Sequence, residues 1–293
     1  MQRTAWITGS NGLIGNNLVQ CAPQFAPEFR VIGLTREIVD LTDSNALRKR
    51  FLQDRPRLII HCAALSKSPA CQANPALAWK TNVEATQALV GHAAGIPFIF
   101  FSSDLVFDGK KGNYVENDAT NPLSVYAETK VAAEIIALKN PLHTVVRTSL
   151  NAGITPTGDR AFNEELVNEW KARRRVKLFT DEFRCPIAAG VTARAIWELT
   201  AKNKPGLYHL AGSERLSRLQ IGQILAAQYP ELDPRIESSS LSEYRGAPRA
   251  PDTSLDCSKL QKLLSFPLPK FSDSLPIFSN NPPPNQPTTK PRE

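Results

Sequence analysis

Long apolar runs, paired cysteines and clustered basic residues are all missing from this 293-residue chain, and each absence removes a class of protein. A bilayer-crossing helix needs about 20 consecutive apolar residues. Even the apolar stretch from Arg57 to Leu65 is broken by His61. No membrane association is expected. The segment Thr4–Thr8 runs straight into a glycine turn with no secretory leader before it, so a cytoplasmic location is expected. The five cysteines, Cys21, Cys62, Cys71, Cys185 and Cys257, are odd in number and contain no Cys-x2-Cys pair. That argues against a disulfide framework or a metal site and leaves buried, reduced thiols. The formal charge of +7 is spread out, apart from short runs at Arg48–Arg50 and Arg173–Arg175, and no RNA-binding aromatic signature accompanies it. Nucleic acid is therefore not an expected partner, whereas a modest positive field suits a small anionic substrate. There is no internal repeat.

What is present is an alternation. Short apolar runs at Thr4–Thr8, Arg30–Leu34, Leu58–His61, Pro97–Ser102 and His143–Arg147 read as buried strands. Between them Gly12–Cys21, Ser44–Gln53, Pro75–Ala93 and Leu123–Lys139 have helical length and period, with Asp43 or Ser44 as a cap for the second. Strands and helices in this rhythm predict an α/β fold, a doubly wound parallel sheet covered on both faces. Beyond Thr148 the rhythm loosens. Arg160–Arg173, Val191–Lys202 and Leu219–Ala227 read as helices and Gly206–Leu210 as a strand, which predicts a smaller substrate-side lobe that returns some chain to the sheet. The expected division is residues 1–148, residues 149–278 and a tail, 279–293. Eight of the 23 prolines fall in the last 27 residues, so the tail is expected to be disordered.

Gly9-Ser10-Asn11-Gly12-Leu13-Ile14-Gly15 follows the first strand and opens the first helix. In such a turn one glycine permits the tight bend, one admits the backbone to a pyrophosphate, and one lets helix and strand pack closely. The helix N-terminus then offers free N–H groups and partial positive charge to phosphate. The spacing Gly-x2-Gly-x2-Gly resembles the short-chain dehydrogenase/reductase superfamily and implies a Rossmann-type NAD(P) site. The second strand ends in Leu34-Thr35-Arg36, without the acidic residue that would bind the ribose hydroxyls of NAD. Arg36 suits the 2′-phosphate of NADP, so NADPH is favoured, with NADH left open by the adjacent Glu37. The resemblance further implies that Asp40 and Leu41 meet the adenine, that Cys62, Ala63 and Ala64 line the cofactor cleft, and that Asn82 steadies the active site.

Tyr126-Ala127-Glu128-Thr129-Lys130 lies in a predicted helix, where a spacing of four puts Tyr126 and Lys130 on one face. A phenol needs such a partner, because an adjacent ammonium favours its phenolate form and so lowers its pKa. Tyr126 would then donate a proton to a carbonyl oxygen as hydride arrives, or run the reverse. The family resemblance implies that Lys130 also holds the nicotinamide ribose. The fourth strand runs into Ser102-Ser103-Asp104-Leu105-Val106-Phe107-Asp108-Gly109, and a hydroxyl at such a strand end faces substrate. Ser103 is the expected partner of the reacting oxygen.

That last segment closely resembles Ser-Thr-Asp-Tyr-Val-Phe-Asp-Gly of the dTDP-4-dehydrorhamnose reductases, extended members of the superfamily. Asn121-Pro122-Leu123, Arg147-Thr148-Ser149, Gly206–Gly212 and Ser254–Leu260 agree with it. The resemblance implies a reductase of a 4-keto-6-deoxy nucleotide sugar. Asp104, Leu105 and Arg184 are candidates to contact that substrate, with a structural salt bridge the other reading of Arg184. Leu105 has no proton to exchange where the sugar-nucleotide dehydratases carry a carboxylate, which argues against elimination. Epimerases carry a serine-rich version of this segment, which Asp104 and Phe107 fit less well. Leu105 and Leu150 stand where the reductases usually carry aromatic residues, which implies altered base or sugar stacking. The regulatory β subunits of methionine adenosyltransferase also resemble these reductases and bind NADP, so a non-catalytic partner role is the alternative. A homodimer is left open.

Overall fold

The computed structural model describes residues 2–275, so the expectation for the tail lies outside the described residues. Five strands carry the N-terminal half: β1 (Arg3–Thr8), β2 (Phe29–Leu34), β3 (Leu58–His61), β4 (Phe98–Ser103) and β5 (His143–Thr148). Helices α1 (Leu13–Phe25), α2 (Ser44–Asp54), α3 (Ser68–Ala73), α4 (Pro75–Trp79), α5 (Ala85–His92) and α6 (Val125–Leu138) lie between them. The later half supplies α7 (Phe162–Lys171), α8 (Ala189–Lys202), α9 (Arg218–Ala226) and the strand β10 (Gly206–Leu210). It also contains short pairs: β6 (Asn151–Ala152) with β9 (Ile187–Ala188), β7 (Val176–Phe179) with β12 (Ile236–Ser239), and β8 (Phe183–Arg184) with β11 (Leu216–Ser217).

Six strands form one parallel sheet in the order β10-β5-β4-β3-β1-β2, the predicted doubly wound arrangement. Consecutive strand residues point to opposite faces, and the sequence supplies apolar residues to both. Trp6, Ile59, Phe98, Phe100 and Val145 pack with Leu89 of α5 and Ala133 and Ala137 of α6. Ile7, Ile60, Phe101 and Val146 pack on the other face with Leu18 of α1 and Ile196 and Trp197 of α8. The Trp197 indole N–H donates to the Leu18 carbonyl at 3.0 Å, tying those two helices together.

Some boundaries differ from the sequence pattern for local reasons. Helix α1 continues to Phe25 although it contains Pro23, because a proline in the last turn forfeits only one backward hydrogen bond. The predicted helix over 75–93 is interrupted by a π-helical turn at Lys80–Glu84, centred on Asn82. The six-residue α3 was not predicted, since one turn and a half leaves no readable period. Among the described residues no helix is long and apolar enough to cross a membrane.

Register brings the strand ends into a row. Thr8 pairs with both Leu34 and His61, and Ser103 pairs with Thr148. The loops after β1 to β5 therefore leave from one edge of the sheet, where ligands of open α/β folds bind.

Two histidines are buried as neutral bases. Burial pulls His61 down to about 3 and, with the Arg147 charge, His209 down to about 4. Unfolded histidines protonate near pH 6.5, so below that pH the unfolded chain takes up protons that the folded one refuses. Their contribution is complete above pH 6.5 and shrinks as pH falls towards 3. The expected slope is about 1.4 kcal/mol per histidine per pH unit. Urea-denaturation midpoints should drop sharply between pH 6.5 and pH 5, and equal midpoints would contradict this account.

Candidate active site

A cleft of about 920 Å³ opens along the row of strand ends. Its first wall is the glycine turn. Gly9 has φ +67°, and a side chain there would press on the Ala63 backbone; a Cβ at Gly15 would run into the Gly9 carbonyl. Helix α1 begins after Gly12 with no side-chain cap and no acidic residue in its first turn. Its first N–H groups are thus open to an anion in the cleft, which Gly9, Asn11, Gly12, Leu13, Ile14 and Gly15 all line.

Arg36, exposed at the end of β2, lines the same cleft, followed by Asp40 and Leu41. The Thr42 backbone N–H at 2.9 Å and its hydroxyl at 2.8 Å both donate to Asp40 Oδ1 and hold that carboxyl below its usual range. Cys62, Ala63 and Ala64 leave β3 along the floor, and burial pushes the Cys62 thiol up. This uncapped helix start, glycine cradle and terminal arginine fit a dinucleotide that carries an extra phosphate.

The structure places Asn82 behind that floor. Its amide accepts from the Leu65 N–H at 2.8 Å and donates to the Leu65 carbonyl at 3.1 Å and the Thr129 hydroxyl at 2.9 Å. Thr129 in turn donates to the Tyr126 carbonyl at 2.7 Å. On its other side, Asn82 offers its carbonyl to the Thr86 hydroxyl at 2.6 Å. The Thr86 proton is thereby spent, so His61 Nε2–H donates to Thr86 at 3.1 Å while His61 Nδ1 accepts from Thr8 at 2.6 Å. One neutral tautomer satisfies the whole chain from the end of β1 to the helix that bears Tyr126. The π-helical turn is the local distortion that accompanies this connection.

Ser103, Tyr126 and Lys130 are brought to the same cleft. The Ser103 hydroxyl donates to Asp104 Oδ1 at 3.1 Å and accepts from the Leu105 N–H at 3.2 Å. Lys130 is 4% exposed; its Nζ donates to the Phe101 carbonyl at 2.8 Å and lies 5.9 Å from the Tyr126 ring centroid. Burial pulls Lys130 down to about 8. The expected lowering of the Tyr126 pKa by Lys130 is reversed: burial, and then the Asp104 carboxylate, push the phenol up, with the Ser103 hydroxyl acting the other way. The lysine spends its hydrogen bond on a backbone carbonyl, so desolvation decides the sign. Tyr126 is protonated throughout the neutral range, the state a proton donor needs.

Asp104 and Arg184 line the cleft but are engaged within the protein. Asp104 Oδ2 accepts from Ser149 at 2.8 Å and Thr253 at 2.9 Å. Arg184 donates to Glu182 at 2.8 Å and to the Phe183 carbonyl at 2.6 Å, and its Nε lies 3.8 Å from Asp104. Leu105 and Leu150 also line the cleft. Sequence reasoning missed Arg160, Phe162, Arg218, Tyr244 and Arg249 in this wall. They come from separate segments of the irregular later half, and no local motif marks them.

The doubly wound sheet, the glycine turn and the Ser103, Tyr126 and Lys130 cluster together define an extended short-chain dehydrogenase/reductase. The chain belongs to the RmlD substrate binding domain family, whose model matches residues 3–281. A dTDP-4-dehydrorhamnose reductase of Sinorhizobium fredii is 29% identical over 283 residues, 92% of this chain and 94% of that protein. Methionine adenosyltransferase 2 subunit beta of Xenopus tropicalis is 26% identical over 279 residues, 89% and 82% of the two chains. The crystal structure of the Bacillus anthracis dTDP-4-dehydrorhamnose reductase in complex with NADP shares the fold. Its TM-score is 0.85 at 21% identity, over 94% of this chain and 97% of that one.

Proposed function

We propose that the protein is an NADPH-dependent reductase of a 4-keto-6-deoxy nucleotide sugar. One observation carries this reading: a protonated Tyr126, Ser103 and a buried Lys130 share one cleft with the glycine turn. The dinucleotide would lie from Arg36 past Gly9–Gly15 to Lys130, and when bound it supplies the hydride. Ser103 and Tyr126 would hold the substrate carbonyl oxygen, and Tyr126 would deliver the proton that turns it into a hydroxyl. The Lys130 ammonium, fixed by the Phe101 carbonyl, would steady the ribose and the charge left on the phenolate. Leu105 offers no acid or base beside the sugar, which favours reduction over elimination. The relative from Sinorhizobium fredii supports the substrate class.

Consumption of NADPH with dTDP-4-keto-6-deoxyhexose tests the reading; no consumption with any keto sugar overturns it. The cofactor choice has its own test. Arg36→Ala removes a charge-assisted contact with the 2′-phosphate, so KM for NADPH should rise about 10-fold or more while KM for NADH changes little. Equal changes for both cofactors would remove Arg36 from the phosphate site. The matches to methionine adenosyltransferase subunit beta support a second reading, a cofactor-binding regulatory subunit. Absence of turnover with every carbonyl, together with stable binding to a partner enzyme, would favour it.

A further inference from the structure

Five charged side chains, Asp104, Glu182, Arg184, Arg218 and Arg249, gather around Glu182 in the cleft, and their balance is unequal. Glu182, 2% exposed, accepts from Arg184 Nη2 at 2.8 Å and from Arg249 Nε and Nη2 at 2.8 and 2.9 Å. Asp104 accepts from Ser103, Ser149 and Thr253 and lies beside Arg184. Both carboxylates are therefore committed to groups other than Arg218. Arg218 faces the same four charges, yet among the described residues its guanidinium makes no hydrogen bond and no ion pair. Within this group three guanidiniums share two carboxylates, and Arg218 is the one in direct contact with neither. A partly buried cation without a partner is costly unless a ligand supplies the anion.

The backbone holds Arg218 in place. β8 and β11 pair antiparallel, with Leu216 opposite Arg184 and Ser217 opposite Phe183, and the Arg218 N–H donates to the Glu182 carbonyl at 2.9 Å. Ser217 and Gln220 form a capping box that fixes Arg218 as the first residue of α9. The Phe162 ring lies 5.5 Å from Arg218 Cζ, and Tyr244 stands in the same wall beside Arg249. A guanidinium fork matches a phosphoryl group in two-point contact, and flanking aromatic rings suit a flat base attached to it.

We infer that Arg218, and not the internally paired Arg184, is the residue of this chain that receives a phosphoryl oxyanion of the nucleotide-sugar substrate. The inference rests on the reductase reading for the word substrate, but its test needs no turnover. Titration of the NADPH-loaded protein with thymidine diphosphate, pyrophosphate, thymidine and glucuronate separates the possible sources of the anion. Arg218→Met should weaken thymidine diphosphate and pyrophosphate by about 10- to 100-fold, with thymidine and NADPH unchanged. Arg218→Lys keeps the charge but loses the fork and should fall between the two.

Thymidine diphosphate binding within about twofold of wild type in a normally folded Arg218→Met protein would overturn the inference. So would a wild type that binds no nucleoside diphosphate at millimolar concentration, or a loss confined to glucuronate. If keto-sugar reduction proceeds and Arg218→Met leaves KM unchanged, the reductase reading stands and this one falls. If no keto sugar is reduced yet the variant loses diphosphate binding, the reverse holds.

Discussion

Replacing Tyr126 by phenylalanine should cut kcat for keto-sugar reduction by about a thousandfold, the middle of the range for loss of a positioned general acid. The ring stays, so its packing and the Thr129 bond to the Tyr126 carbonyl at 2.7 Å stay with it. Only the hydroxyl is lost. The NADPH dissociation constant and the melting temperature should therefore be nearly unchanged, and the loss should fall in kcat more than in KM. Activity that survives at wild-type level would remove Tyr126 from the chemistry. A fall in stability or cofactor affinity of matching size would make its role structural.

The largest stability effect is expected at Arg147. Its guanidinium donates two bonds to Glu134, Nε to Oε1 at 2.9 Å and Nη2 to Oε2 at 2.7 Å, with both side chains about 5% exposed or less. The pair ties the end of β5 to the middle of α6, the helix that bears Tyr126 and Lys130. It also stacks over Phe107, with Cζ 5.0 Å from the ring centroid. Arg147→Met keeps most of the stem but leaves Glu134 as an uncompensated buried carboxylate. Breaking a buried pair in this one-sided way typically costs about 3–5 kcal/mol. Replacing both partners by apolar residues of similar volume should cost much less, since neither charge is then stranded. Urea denaturation of the single and double variants decides the matter. A single variant as stable as wild type would show that the pair carries little.

How legible these features were depended on how far apart in sequence their partners lie. The sheet could be read because each strand carries its own pattern: Trp6 with Ile7, Ile59 with Ile60 and Phe100 with Phe101 divide between opposite faces. The glycine turn and the Tyr126–Lys130 spacing are likewise local, one helix start and one helix face. Asn82 could be placed on a helix, but its ties to Leu65 and Thr129 span 17 and 47 residues. The π-helical turn at that point has no sequence period to announce it.

The direction of the Tyr126 shift is not legible in sequence, because a neighbouring lysine is visible there and desolvation is not. The substrate end was harder still. Arg184, in a two-residue strand, and Arg218, at the start of a helix, are distant in sequence and are brought together by paired strands too short to leave a pattern. Only a count of hydrogen-bond partners shows that one is satisfied and the other is not.

The proposed reaction moves a hydride onto a sugar carbonyl and a proton onto its oxygen. NADPH deuterated at the transferable position, incubated with the protein and dTDP-4-keto-6-deoxyhexose, tests it most directly. One deuterium bonded to the former carbonyl carbon of the product is expected, with NADPH consumed in equal amount, and no labelled product from Tyr126→Phe on the same timescale. An alcohol without deuterium, or no product while NADPH remains bound and unchanged, would contradict it.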